Sequence, residues 1–248
     1  MKGNLSNSSS QMAGLFFVMD NNNLEGLNSW ASELKERNIP AVIKVSEALL
    51  DENCYAVKAI SEDGFDIFGG FDTEALWDAS YEYQMENISR IKEKFESCTG
   101  LPMRFFCAKF LSYNENTLKV ADKLDIEYIF VLGTKGARVV IYQTDEYKAK
   151  IISVSSVLSS TGKRGSLCDH AMSNCDETHT GFRDILFNLN EDNIILAGWT
   201  TKSGVSLEWR NVFREFIDAG RVSWRPMDEL NPEIIRLPFA EVPINRKD

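Results

Sequence analysis

The chain has 248 residues, of which 44% are hydrophobic and 11% aromatic, enough apolar material for a sizeable core and too aromatic for a disordered chain. Lys and Arg number 27 against 37 Asp and Glu, and a formal charge of -10 argues against a phosphate-backbone binder, so nucleic acid is not an expected partner. No run of about 18 apolar residues occurs, and stretches such as 15–19 and 128–132 are strand-sized, so no membrane span is predicted within the chain.

Residues 1–13 are a polar Ser/Asn segment without the apolar region of a signal peptide, and they read as a flexible lead-in to one domain over 14–248. Asn4, Asn7 and Asn87 each open an Asn-x-Ser sequon. A buried strand is predicted at 15–19, then a helix with Leu24, Leu27, Ala31 and Leu34 on one face, ended by Asn38 and Pro40. A second strand at 41–45, a helix at 55–62 closed by Asp63-Gly64 and a short strand at 65–68 follow. Tyr81, Met85, Ile88, Ile91 and Phe95 form the apolar stripe of a long helix over 78–98, before a strand at 103–108. Asn114 is a candidate N-cap for a helix through Leu118, Ala121 and Leu124, and strands are expected at 126–132 and 151–154, with an extra hairpin strand at 138–142. A helix at 182–189, a strand at 194–197, a helix at 205–216 and a strand at 222–224 complete the chain. Strands and amphipathic helices thus alternate through about seven βα repeats without a linker, which predicts an α/β domain with a largely parallel, barrel-like sheet.

Four stretches, in order, resemble the NodB-type polysaccharide deacetylases. Residues 33–41, ELKERNIPA, are similar to the family's L-x-x-x-G-I-P-A-T-F-F, and residues 57–67, VKAISEDGFDI, to its V-K-x-I-x-x-x-G-H-E-I. Residues 93–124, including Phe105-Phe106 and Ser112-Tyr113-Asn114, resemble G-x-x-P-x-x-F-R-x-P-Y-G-x-Y-N-x-x-x-L-x-x-A-x-x-L-G, and Asn193-Ile194-Ile195-Leu196 resembles G-x-I-I-L-L-H. The resemblance spans about 14–225. It implies a distorted (β/α)7 TIM-like barrel and hydrolysis of acetyl groups from carbohydrate by a divalent metal held by one Asp and two His, with a second Asp as base and a late His as acid.

Carried over position by position, that site is degraded. The paired Asp-Asp falls on Asp20-Asn21, leaving Asp20 as candidate base while the metal-binding carboxylate has become an amide. The two histidine ligands fall on Gly70 and Glu74; the third motif's Arg and Pro fall on Cys107 and Lys109; the acid His falls on Gly198. The resemblance therefore implies a catalytically silent, deacetylase-like module that binds glycan or a protein partner, with no cofactor. The alternatives are an active N- or O-deacetylase with a rearranged site, in which Glu74 or the His170/His179 loop supplies the acid or a ligand beside the base Asp20 and zinc is the metal, and a structural envelope protein. An extracellular or envelope setting is favoured over a cytoplasmic one.

Other constellations carry bland readings beside the chemical ones. The two histidines lie in one segment with two of the five cysteines, and Cys168, His170, Cys175 and His179 have zinc-ligand types but no recognisable finger spacing, so a Cys168–Cys175 disulfide or free thiols compete with a metal. Asp20, Asp66, Asp72 and Glu74 could gather as carboxylates at strand ends or stand as solvated loop acids. Trp199, Trp224 and Tyr113, with Trp77, are candidate sugar platforms or ordinary core. Residues 133–136 and 161–165 lack the spacing of a phosphate loop and read as turns.

Overall fold

The computed structural model describes residues 11–133 and 136–244. In chain order the elements are β1 (Met12–Met19), α1 (Leu24–Glu36), β2 (Ala41–Ser46), α2 (Glu47–Glu52), α3 (Cys54–Glu62), β3 (Asp66–Gly70), α4 (Tyr81–Thr99), β4 (Phe105–Phe106), α5 (Glu115–Lys123) and β5 (Tyr128–Val131). There follow β6 (Val140–Gln143), β7 (Lys150–Ser153), β8 (Ser156–Leu158), β9 (Arg164–Ser166), α6 (Asp169–Asn174), α7 (His179–Phe187), β10 (Asn193–Trp199), α8 (Leu207–Asp218), β11 (Val222–Trp224) and β12 (Glu233–Arg236). Strand β1 thus starts two residues ahead of the expected domain boundary. The sequons at Asn4 and Asn7, and Thr134 and Lys135 of the expected 133–136 turn, lie outside the described residues.

Parallel pairing runs β10-β1-β2-β3 in one sheet and β4-β5-β7 in the other, giving the seven barrel strands. The two arcs meet at narrow seams. On one side a single parallel bridge joins Phe71 to Ala108. On the other, Ser155 just past β7 accepts the Ile195 N–H on its hydroxyl (2.9 Å) and the Leu167 N–H on its carbonyl (2.8 Å), while the Ala197 N–H reaches the Leu167 carbonyl (2.9 Å). These thin contacts are the distortion in the barrel. The expected hairpin strand is β6, antiparallel to β7 and extended by β12, and β11 pairs with Met12–Gly14.

The period of two along each strand sorts side chains between barrel interior and helix layer. Phe16 points outward onto Trp30 (5.0 Å between ring centroids) and Phe213 (5.9 Å). Phe17 points inward and stacks on Phe130 (4.7 Å), which with Phe68 and Phe105 plugs the middle of the barrel. The interior is therefore a packed aromatic layer with no through-channel. Residues two further along these strands form the next layer up, at the C-terminal mouth.

Three local features differ from the sequence reading. Residues 47–52 form a short helix capped by the Ser46 hydroxyl (3.4 Å to Leu49 N), too brief to show periodicity. Residues 156–166 are a β-hairpin, turned at 159–163 with Gly162 at φ 81°, so the expected turn is the tip of a larger element. Asn87 lies buried on α4 with its amide donating to the Tyr83 carbonyl (2.8 Å), which removes that sequon as a glycosylation site. The disulfide joins Cys54 to Cys98, tying α3 to α4, whereas Cys168 and Cys175 are buried free thiols. In the chain-entropy account, closing a loop of that length stabilises by about 4 kcal/mol.

Helices α1 and α8 are locked by one buried acid. Glu33, 5% exposed, receives the Arg214 guanidinium in a fork (2.6–3.0 Å) and Arg37 at 2.6 Å. Burial alone would raise the Glu33 pKa, but Arg214, Arg37 and Arg210 outweigh it and hold it below the ordinary glutamate value of 4.5. A depressed folded-state pKa gives stability that is present above 4.5 and lost as pH falls through the lowered value. Glu33→Gln is therefore expected to cost about 1.5–3 kcal/mol at pH 7, the range for hydrogen bonds to a charged group. Urea unfolding at descending pH should show the gap between wild type and variant closing only below pH 4.5.

Candidate functional site

The mouth holds a cavity of about 260 Å³, with Met19, Lys44, Asp72 and Trp199 among its walls and the β8–β9 hairpin and α6 over one side. Its central feature is Lys44, 1% exposed among the apolar residues 41–45 of strand β2. The ammonium donates to the Asp20 carbonyl (3.1 Å), pairs with the Asp72 carboxylate and lies 5.9 Å from the Trp199 ring centroid. Burial pulls a lysine's pKa down, yet here the Asp72 carboxylate, with Asp20 behind it, outweighs it, so Lys44 stays charged above the ordinary lysine value. Cys107, buried beneath, is pushed up to about 12 by burial, with Lys44 opposing and Asp72 adding to the shift, so it is a neutral thiol.

The positions taken over from the resemblance now acquire geometry. Asp20 is fully buried and all four acceptor directions of its carboxylate are taken: Oδ1 by Asn23 N–H (2.9 Å) and the Thr200 hydroxyl (3.0 Å), Oδ2 by Asn22 N–H (3.0 Å) and Ser46 N–H (3.1 Å). The carboxylate holds the turn after β1, in which Asn22 adopts φ 56°, and has no lone pair turned to the cavity as a base requires. Asn21 does line the cavity. Gly70 faces inward, and a Cβ there would overlap the Lys44 side chain at Cγ, Cδ and Cε. Gly198 faces outward, where a Cβ would meet Trp30 Cζ2 at 2.6 Å, so it cannot stand for a catalytic acid; the residue that β10 offers the cavity is Trp199.

Among the four carboxylates considered together, Asp72 alone lines the cavity. Asp66 starts β3 at the opposite end of the barrel, and Glu74, on the exposed loop after β3, accepts the Tyr83 hydroxyl. Asp20 and Glu74 therefore make no acid/base pair. Of the aromatic platforms, Trp199 holds its place and stacks on His170 (4.6 Å, 21°). Trp224 packs beside Gly14 onto Phe16 and Phe216 in the helix layer, because β11 pairs with the start of β1. Tyr113 is 2% exposed and its hydroxyl donates to the Pro243 carbonyl (3.1 Å), anchoring the C-terminal segment. Trp77 stacks on Phe110, a wall of the cavity.

The Cys/His segment does not converge on a metal. His170 lies on Trp199, His179 opens α7 against Trp209 (6.4 Å), and no group of three or more His, Cys, Asp or Glu suited to a metal occurs among the described residues. The family's metal fits the expected position no better. Asn21 is neutral, Gly70 has no donor, Glu74 is turned to Tyr83, and the fixed ammonium of Lys44 fills the space alongside Gly70.

Sequence reading passed over two residues that organise the mouth. Lys44 had a visible signal, a lone lysine at an inward position of an apolar strand. Asp169 had none. Fully buried, it accepts N–H groups of His170 (2.8 Å), Trp199 (3.0 Å) and Ser203 (2.8 Å) and the Cys168 thiol (3.3 Å), fastening α6 to the end of β10. Burial raises its pKa above the ordinary aspartate value against those hydrogen bonds. Two polar atoms of cavity residues are buried without a partner, Asp72 Oδ2 and Trp199 Nε1. Lys109 and Arg164 also line the cavity, with polar bonds to the Thr73 carbonyl (3.2 Å) and Ser156 hydroxyl (3.2 Å) and with no ion pair among the described residues.

The polysaccharide deacetylase family profile matches residues 15–129. No curated protein sequence matches the chain. Among solved structures, BA3943 from Bacillus anthracis, described as a CE4 family pseudoenzyme, is 12% identical with a TM-score of 0.63, covering 92% of this chain and 68% of that one. A family 4 carbohydrate esterase from Streptomyces lividans is 10% identical (TM-score 0.58, 87% of this chain, 92% of that one). The Puue allantoinase, 9% identical, has a TM-score of 0.68 and 90% coverage of both chains. The chain thus resembles the polysaccharide deacetylases over residues 15–129 and shares the fold of these solved structures, a distorted (β/α)7 barrel, over about nine-tenths of its length.

Proposed function

We propose that this domain is a catalytically silent member of the deacetylase-like barrels and that its mouth binds carbohydrate. The observation that carries the reading is Lys44: a buried ammonium, paired with Asp72, stands where side chains from the Gly70 position would have to reach a metal. A fixed positive charge repels a cation and holds Asp72 for itself. The cavity keeps features of a sugar site, a tryptophan wall and a neutral amide at Asn21. The Cys54–Cys98 disulfide supports an oxidising setting, extracellular or in the cell envelope.

Protein purified without chelator should carry far less than one equivalent of zinc, cobalt or nickel by elemental analysis and release no acetate from chitooligosaccharides or acetylated xylan. Near-stoichiometric metal with turnover would establish an enzyme instead. Asn21→Asp/Gly70→His/Glu74→His should gain no zinc affinity while Lys44 is present and gain at least tenfold when Lys44→Ala is added; equal zinc binding with and without Lys44 would refute its blocking role. Asp20→Asn tests the turn reading, since an amide would face N–H donors with an NH₂: a loss of about 2–4 kcal/mol is expected by denaturant unfolding. For glycan binding, Trp199→Phe should weaken oligosaccharide binding by roughly 3- to 10-fold in calorimetric titration. Absence of any saccharide binding together with a stable oligomer would favour the structural envelope role.

A further inference from the structure

The charge of the cavity narrows the carbohydrate it takes, an inference that rests on the carbohydrate reading above. In a chain of formal charge -10, the mouth carries Lys44, Lys109 and Arg164 against the single carboxylate of Asp72. Lys44 is matched by Asp72, which leaves Lys109 and Arg164 as cations without an acidic partner among the described residues. Both are held in place by polar contacts, Lys109 on the Thr73 carbonyl and over the Phe110 ring (5.6 Å), Arg164 on the hydroxyl and carbonyl of Ser156 across the hairpin. A concavity in which one sign of charge is in excess attracts a ligand of the other sign, and here the excess is positive in a chain that is acidic as a whole.

We propose that the mouth binds an anionic saccharide, its negative group held by Lys109 and Arg164. The uncharged part of the sugar would lie against the Trp199 ring and the Asn21 amide, both on the cavity wall. The cavity of about 260 Å³ sits just under the roughly 300–1,000 Å³ usual for small-molecule sites, a size for one or two sugar residues. Arg164 offers a planar fork suited to carboxylate or phosphate oxygens, so a uronic acid and a sugar phosphate share the required chemistry.

Calorimetric titration of the full chain at low ionic strength with trigalacturonate, galactose 6-phosphate and the neutral counterparts trigalactose and galactose tests this. At least one anionic probe should bind tenfold or more tightly than its neutral counterpart, and which one does identifies carboxylate or phosphate as the group recognised. The preference should shrink as salt is raised. It should also fall to within threefold in Lys109→Gln/Arg164→Gln, whose thermal midpoint is expected to match wild type because both side chains reach the cavity surface. Equal affinity for charged and neutral probes, or a preference untouched by the double variant, would overturn the anionic assignment while leaving carbohydrate binding intact. No binding of any of the four would remove both readings.

Discussion

The mouth of this barrel is organised around one buried ion pair, Lys44 with Asp72. An ammonium taken into the interior without a counter-charge costs several kcal/mol, so its position dictates its neighbours. Asp72, two residues past the end of β3, must stand within reach of an ammonium that rises from the register of Phe68. The Asp20 carbonyl must face inward to accept a second hydrogen bond. The residue between them must have no side chain, and that residue is Gly70, against which the lysine stem packs. Gly70 is thus required for a close approach rather than for backbone freedom, and replacing it with any other residue would first have to displace the lysine.

Such an arrangement changes what the remaining acids do. In a metal-dependent barrel a carboxylate at the end of β1 has a cation to bind or a water to activate. Here the Asp20 carboxylate is saturated by two N–H groups of its own turn, one from β2 and one hydroxyl from beyond β10, so it joins three strand ends into one rigid rim. Asp20 and Lys44 are complementary parts of that rim: the acid's carbonyl serves the ammonium and its carboxylate serves the backbone.

Much of the fold was legible because strand and helix periods survive in the sequence. Phe16 and Phe17 read simply as a buried strand, and the structure divides them between helix layer and barrel plug as alternation requires. The hairpin β8–β9 and helix α6 were not legible, since their residues are short polar runs whose order comes from tertiary contacts, Leu167 to Ser155 and Asp169 to the end of β10. At the site, Asn21 and Gly70 were placed at the mouth by motif spacing alone, whereas Gly198 was misplaced by one residue. In a strand a one-residue slip reverses the face, so the position taken for an acid lies in the helix layer and the wall is Trp199, already singled out as a sugar platform. Tyr113 and Trp224 misled for a different reason: an aromatic after a strand has the same sequence appearance whether it faces a cavity or a neighbouring helix.

The same bookkeeping of acids explains how so acidic a chain presents a cationic cavity. Three aspartates stand at the mouth, and each is matched locally. Asp20 and Asp169 are fully buried, and between them they accept six backbone N–H groups, so their charge is directed into loop ends and screened from the cavity by the groups it binds. Asp72 faces the cavity but is neutralised by Lys44. Lys109 follows β4 and Arg164 belongs to the hairpin, two elements that contribute no carboxylate to the walls. The positive sign of the cavity is therefore a consequence of where the acids are used, and any ligand that enters meets Lys109 and Arg164 before the paired charges beneath them can respond.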